Sequence, residues 1–315
     1  MRFILLFGSV LFSLFCLEVG LRVHNGVVNP DREDPYIQRT YQRNDERVLR
    51  SEDGTLVTVK TNSLGFPGDE PKKGLVVLGD SFTAGREVNF DENYAYLLVA
   101  SNFAIGGQGT GHALATYRHY GKPYAEKTIL FFFMGNDFQE NLTYEERQES
   151  SWLKKQARKS QLLYFLVTRL ARTDLAPLLK GTVLTRTGDD SKNDVPLELR
   201  LLFTEDVENE KALQRTEEYL RALKAETDLT VVILPTSFQV DSEARKKLED
   251  HYGITLDIER PVLELERILE RNRIPHLTPS LTKDSYLCEN GCHLNPLGHR
   301  EVQRAVEEYL TGDVL

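Results

Sequence analysis

Residues 128–134 read Thr-Ile-Leu-Phe-Phe-Phe-Met, and they run straight into Gly135-Asn136-Asp137. This stretch decides the fold. It carries no charge and no alternation of polar with apolar residues. A strand that shows one face to water would alternate, so the run suits a strand covered on both faces, in the middle of a parallel sheet. The glycine and the two short polar residues behind it end the strand in a turn.

Working outward, Leu75 to Leu78 reads as a second buried strand, Tyr94 to Val99 as helix, and Asn102 to Ile105 as a further strand. On the other side, Val207 to Ala225 places Leu213, Tyr219, Leu220 and Leu223 at helical spacing, with Glu217 four residues before Arg221. Thr230 to Leu234 is another strand. Glu259 to Asn272 is an amphipathic helix, and His276 to Thr278 a short strand. Asn295-Pro296 supplies an N-cap and an N1 proline to a last helix striped by Val302, Ala305, Val306, Tyr309 and Leu310. Strands that alternate with helices predict an α/β fold of three layers, α/β/α, around a parallel sheet of about five strands.

The chain has 315 residues, enough for one large domain with a short appendage. Its net charge of -9, with no long Lys/Arg stripe, excludes a general nucleic-acid binder. Arg2 precedes an apolar run from Phe3 to Leu17, which tolerating Glu18 extends to Val23. This is either a retained membrane anchor over residues 1–24 or a cleaved secretory signal, with a buried core helix as the plain alternative to both. The lack of a small-x-small cleavage site favours the anchor, and both readings put the rest of the chain outside the cytoplasm, in the periplasm or at the cell surface. Residues 25–70 are polar and proline-punctuated, as an extended lead-in would be, with only Thr55 to Val59 alternating like a strand. The main α/β domain is expected over 71–313, interrupted at about 142–200 by a charged helical insertion holding Trp152, Tyr164 and Phe165. Such an insertion is either a lid beside the site or a passive pair packed on the sheet edge. Of three cysteines, Cys288 and Cys292 are the two outside the apolar segment, and an oxidising compartment would let them bond. No metal and no cofactor is expected.

In a parallel sheet the loops leaving the carboxyl ends of the strands share one crevice. Four chemistry-bearing loops converge there on this reading. Gly79-Asp80-Ser81-Phe82-Thr83 brings a hydroxyl to the start of a helix. Ile105-Gly106-Gly107-Gln108-Gly109 offers backbone that can approach a ligand closely. Gly135-Asn136-Asp137 brings an amide NH₂, and Cys292-His293-Leu294-Asn295 brings an imidazole. A hydroxyl, a base and amide donors are the parts that acyl transfer needs.

These motifs, in this order, resemble the SGNH or GDSL-type hydrolases: Gly79-Asp80-Ser81-Phe82, Asn102 with Gly107, Gly135-Asn136-Asp137, and His293-Leu294-Asn295 with Gly298-His299. The lead-in Asn62-Ser-Leu-Gly-Phe66 and the apolar N-terminus look like a membrane-anchored bacterial branch of that family. The resemblance implies a flavodoxin-like fold, Ser81 as nucleophile, His293 as general base, and an oxyanion hole from the Ser81 N–H, the Gly107 N–H and the Asn136 amide. It implies an extracytoplasmic serine esterase or deacylase acting on ester substrates, among them O-acyl groups of envelope glycans or lipids. An O-acyltransferase would use the same site, and a glycan-binding pseudoenzyme would keep the fold without the chemistry. One residue departs from the pattern. The family has Asp three residues before the His, where this chain has Asn290. Asn290 is then expected to hold the imidazole, with Glu289 as the acidic alternative.

Overall fold

The computed structural model describes residues 12–20, 31–34, 36–148, 195–287 and 293–312. Residues 31–144 and 193–315 form one compact unit, and 1–30 with 145–192 a second. In the second, residues 12–20 are helical. Among the described residues no helix is long and apolar enough to cross a membrane. Most of the N-terminal apolar run, most of the insertion with Trp152, Tyr164 and Phe165, and the segment 288–292 holding Cys288, Glu289, Asn290 and Cys292 lie outside the described residues.

The main unit is built on a parallel sheet of five strands: β5 (Gly74–Leu78), β6 (Ser101–Asn102), β7 (Ala125–Phe133), β8 (Leu229–Leu234) and β9 (His276–Leu277), in the spatial order β6-β5-β7-β8-β9. The Ile-Leu-Phe-Phe-Phe strand is central, as its composition requires. Its side chains alternate between two cores. Leu130, Phe132 and Met134 join Val76, Leu78, Val231 and Ile233 on one face. Ile129, Phe131 and Phe133 join Val77, Val232 and Leu234 on the other, under Val302 and Val306 of the last helix, Pro296–Thr311. Helix Asn209–Lys224 packs Ala212, Leu220 and Leu223 against the first face. Each layer is therefore fixed by the period of its own apolar residues.

The sheet reverses direction at β5, which has β6 on one side and β7 on the other. Ligands in open α/β sheets bind at such a switch point, outside the carboxyl ends of the strands. β5 stops at Leu78, opposite Leu130, and β7 continues to Phe133. The loop after β5 consequently folds over the last residues of β7.

The region before the sheet is more structured than its polarity predicts. It holds two antiparallel hairpins, β1 (Asp31–Asp34) with β2 (Gln38–Tyr41) and β3 (Glu46–Arg50) with β4 (Leu56–Lys60). Ile37, Tyr41 and Phe66 are buried in the first-face core, so residues 31–70 belong to the same unit as the sheet instead of leading up to it.

Candidate active site

Ser81 opens a single helical turn, Ser81–Ala84, immediately behind β5. The Asp80 side chain caps it by accepting the Phe82 N–H at 2.9 Å. Gly79 is required by space, since a Cβ there would lie 2.1 Å from Thr83 Oγ1 and 3.1 Å from the Phe131 carbonyl. Asn102 of β6 donates to the Thr83 carbonyl at 2.8 Å, Asn93 does so at 3.0 Å, and the Tyr94 hydroxyl pairs with Thr83 Oγ1 at 2.8 Å. The serine thus stands on a turn braced from three sides. Four residues make no macrodipole of consequence, so the turn contributes its N–H groups and its geometry.

His293 arrives on the strand-like bridge between Tyr286 and Leu294. Asn295 fixes the next turn, accepting from Leu297 and Gly298 and donating to the carbonyls of Asp284 and Tyr286. The structure brings the two sequence-predicted groups together: His293 Nε2 lies 2.8 Å from Ser81 Oγ. The imidazole sits 4.8 Å, centroid to centroid, from the Phe82 ring, which itself stacks on Phe133 at 3.8 Å. His299, named with the His293 motif, has a different place. It is buried, its Nδ1 accepts the Tyr94 N–H at 3.2 Å, and burial, with the nearby His293 adding to it, depresses its pKa to about 3. It is a neutral brace between two helices.

The third partner is a surprise from the sequence. His293 Nδ1 lies 2.8 Å from Glu52 Oε1, and the His293 backbone N–H donates to Glu52 Oε2 at 3.2 Å. Glu52 stands at the tip of the β3–β4 hairpin, whose turn is closed by the Ser51 N–H to Thr55 and the Gly54 N–H to Ser51. Its own N–H donates to Glu87 Oε2 at 2.8 Å. At Nδ1, where the family pattern leads to Asn290 or Glu289, the described residues place the Glu52 carboxylate. Asn290 and Glu289 themselves lie outside the described residues. The signal for the hairpin was Asp53-Gly54 between Val48-Leu49 and Leu56-Val57, a turn pair flanked by apolar residues. Nothing in the sequence told that its tip would meet a residue 241 positions away.

Glu52, Glu87 and His293 also bring one ligand atom each within 4.8 Å of one another, as a divalent ion would need. Of these, the Glu52 carboxylate and His293 Nδ1 engage each other at 2.8 Å, and the Glu87 carboxylate accepts the Glu52 backbone N–H.

The glycine loop lies against Ser81. A Cβ on Gly106 would be 3.4 Å from Ser81 Cβ, and Gly107 takes a left-handed φ of 66°. Asn136, behind β7, brings its side chain beside the Asp80 carboxyl, whose pKa it lowers. Beneath it lies Asp137, buried, with Oδ2 accepting the Phe133 N–H at 3.1 Å. Burial pushes Asp80 up to about 6, against the lowering effect of the Phe82 N–H and of His293. Burial first and the Asp80 charge second hold Asp137 well above the usual carboxylate range. Asp137 therefore holds its proton to higher pH in the folded protein than in the unfolded chain, which releases it near pH 4. Such a group stabilises the fold at low pH, and the contribution is lost as pH rises toward its folded pKa. Asp137→Asn removes that dependence. Urea unfolding across pH 5 to 7 should show wild type losing up to about 1.4 kcal/mol per pH unit relative to the variant. Equal slopes would show that Asp137 is ionised in the fold.

Asn141, which opens an Asn-Leu-Thr sequon, is buried; it accepts the Gly111 N–H and donates to Thr110 and Thr216. It serves as an internal brace and is closed to a glycan.

No family model and no curated protein matches this chain. Solved structures similar to it include a member of the lipolytic protein G-D-S-L family from Veillonella parvula (11% identity, 75% of this chain and 97% of the other, TM-score 0.39). A GDSL-like lipase from Bacteroides thetaiotaomicron is similar over 76% of this chain and 88% of its own (10% identity, TM-score 0.39). Phospholipase A1 from Streptomyces albidoflavus is similar over 75% and 99% (12% identity, TM-score 0.38).

Proposed function

We propose that this protein is a serine hydrolase of ester bonds, with Ser81 as nucleophile, His293 as general base and Glu52 as the carboxylate that holds and charges the imidazole. One observation carries the reading: Ser81, His293 and Glu52 form a continuous hydrogen-bonded line, 2.8 Å at each step. With Glu52 ionised, Nδ1 carries the proton and the Nε2 lone pair faces the serine hydroxyl. Ser81 Oγ attacks the ester carbonyl while its proton passes to Nε2. The Ser81 and Gly107 N–H groups and the Asn136 amide donate to the oxyanion. Collapse expels the alcohol with the proton from His293, leaving an acyl group on Ser81. Water, activated by the same imidazole, then releases the acid. A glycan-binding pseudoenzyme would have no need of a carboxylate on the imidazole, and the Glu52 contact at Nδ1 favours the enzyme.

The finer reading places this chemistry outside the cytoplasm, on O-acyl groups of envelope glycans or lipids. The apolar run from Phe3 to Leu17 behind Arg2 supports it, as either an anchor or an export signal. Short p-nitrophenyl esters, acetylated polysaccharides and phospholipids offered to the full chain test both parts. Hydrolysis of the small esters is expected, with acetylated glycans or lipids turned over faster. Release of no acid from any of them would refute the reading.

A further inference from the structure

The oxyanion loop is gripped by the hairpin region in front of the sheet, and that grip has a geometric consequence. Arg39 of β2 donates through Nη2 to the Gly106 carbonyl. Two residues on, the Tyr41 hydroxyl accepts the Gly106 N–H at 2.9 Å. The two side chains leave the same face of β2, as residues i and i+2 must. The strand is itself fixed: Tyr41 is buried and its N–H bonds the Gly65 carbonyl, while Gln108 of the glycine loop donates to the Ile37 carbonyl at 2.9 Å. The Arg86 guanidinium lies 5.0 Å over the Tyr41 ring.

The Gly106 carbonyl and the Gly107 N–H are opposite ends of one planar trans peptide. A donor that fixes the carbonyl on one side fixes the N–H on the other. The guanidinium also lies 3.2 Å from where a Gly107 Cβ would sit, so it packs against both residues of that peptide. A charged donor on the carbonyl also draws electron density from the peptide and strengthens its N–H as a donor.

We infer that Arg39 and Tyr41 are positioning residues of the oxyanion hole: together they set the Gly106–Gly107 peptide with its N–H presented to the developing oxyanion beside Ser81. The inference rests on the proposed hydrolase reading and extends it. The region in front of the sheet then supplies both the carboxylate for the base and the setting of the oxyanion donor. Losing one oxyanion donor costs ~10² to 10³ in rate, and loosening one costs less.

The test compares wild type with Arg39→Met, Arg39→Lys and Tyr41→Phe on a p-nitrophenyl ester, each rate divided by the sites titrated with a fluorophosphonate. Arg39→Met is expected to lower kcat per titrated site by about 30- to 100-fold with KM within twofold, and to weaken an aryl boronic acid by the same factor. Arg39→Lys should recover part of the loss, since it restores the charged donor. Tyr41→Phe keeps the ring packing and should cost about fivefold in kcat. A role confined to folding would reduce the titrated fraction and leave kcat per site unchanged. The inference is overturned by Arg39→Met and Tyr41→Phe proteins that keep wild-type kcat per site and wild-type boronate affinity. Wild-type protein that neither hydrolyses the ester nor reacts at Ser81 would sink the hydrolase reading, and this inference with it.

Discussion

Glu52→Gln lowers kcat for ester hydrolysis by about 10⁴, with KM little changed and the fold intact. The reason lies in the tautomer. A glutamine presents either its carbonyl or its NH₂ to Nδ1, and it carries no charge to stabilise the imidazolium that forms when Ser81 gives up its proton. With the NH₂ facing Nδ1, the imidazole proton is driven to Nε2, where it blocks the base. Glu52 is partly exposed, with 36% of its side chain accessible, so water screens some of the charge. The loss of orientation is not screened. Asn290→Ala is the companion variant, because the family pattern assigns the same job to that position. It should leave kcat within about threefold. Kinetics of the two variants side by side decide the matter, and a large loss at Asn290 with none at Glu52 would return the role to Asn290.

Ser81→Ala has the larger effect, a fall in kcat of about 10⁵ to 10⁶. A nucleophile and its base act as one unit, so removing either abolishes covalent catalysis and leaves what binding and the oxyanion donors provide. The substitution deletes one partly exposed hydroxyl on a turn that Asp80, Asn93, Asn102 and Tyr94 hold without it. Stability is therefore expected to stay within about 0.5 kcal/mol of wild type, measured by urea unfolding. A variant that still turns over esters at wild-type rate would place the nucleophile elsewhere.

Much of this was legible in the sequence because it is written in local periods. The uncharged run Thr128 to Met134 required a strand with both faces covered, and it is the centre of the sheet. The last helix was announced by Asn295-Pro296, and the Asn295 side chain does cap it. Ser81 and His293 were legible as a pair through loop placement, since a parallel sheet brings strand ends together. The hairpins left a faint trace, Asp53-Gly54 and the alternation of Thr55 to Val59, because β3, Glu-Arg-Val-Leu-Arg, exposes alternate residues and buries none fully. Periodicity reports burial, so a strand that buries little leaves little trace. Glu52, Arg39 and Tyr41 all stand in that polar region. Their roles come from contacts between segments far apart in the chain, which no local pattern encodes. The same holds for Asp80 and Asp137, ordinary turn residues in the sequence whose burial in the fold raises both their pKa values.

The central claim is that the Ser81 hydroxyl is activated as a nucleophile. The most direct measurement treats the full chain with a fluorophosphonate and locates the adduct by peptide mass spectrometry. Stoichiometric phosphonylation of Ser81, absent in Ser81→Ala and slowed in Glu52→Gln, is the predicted result. An unmodified Ser81, or a label carried by another residue in wild type and Ser81→Ala alike, would contradict it.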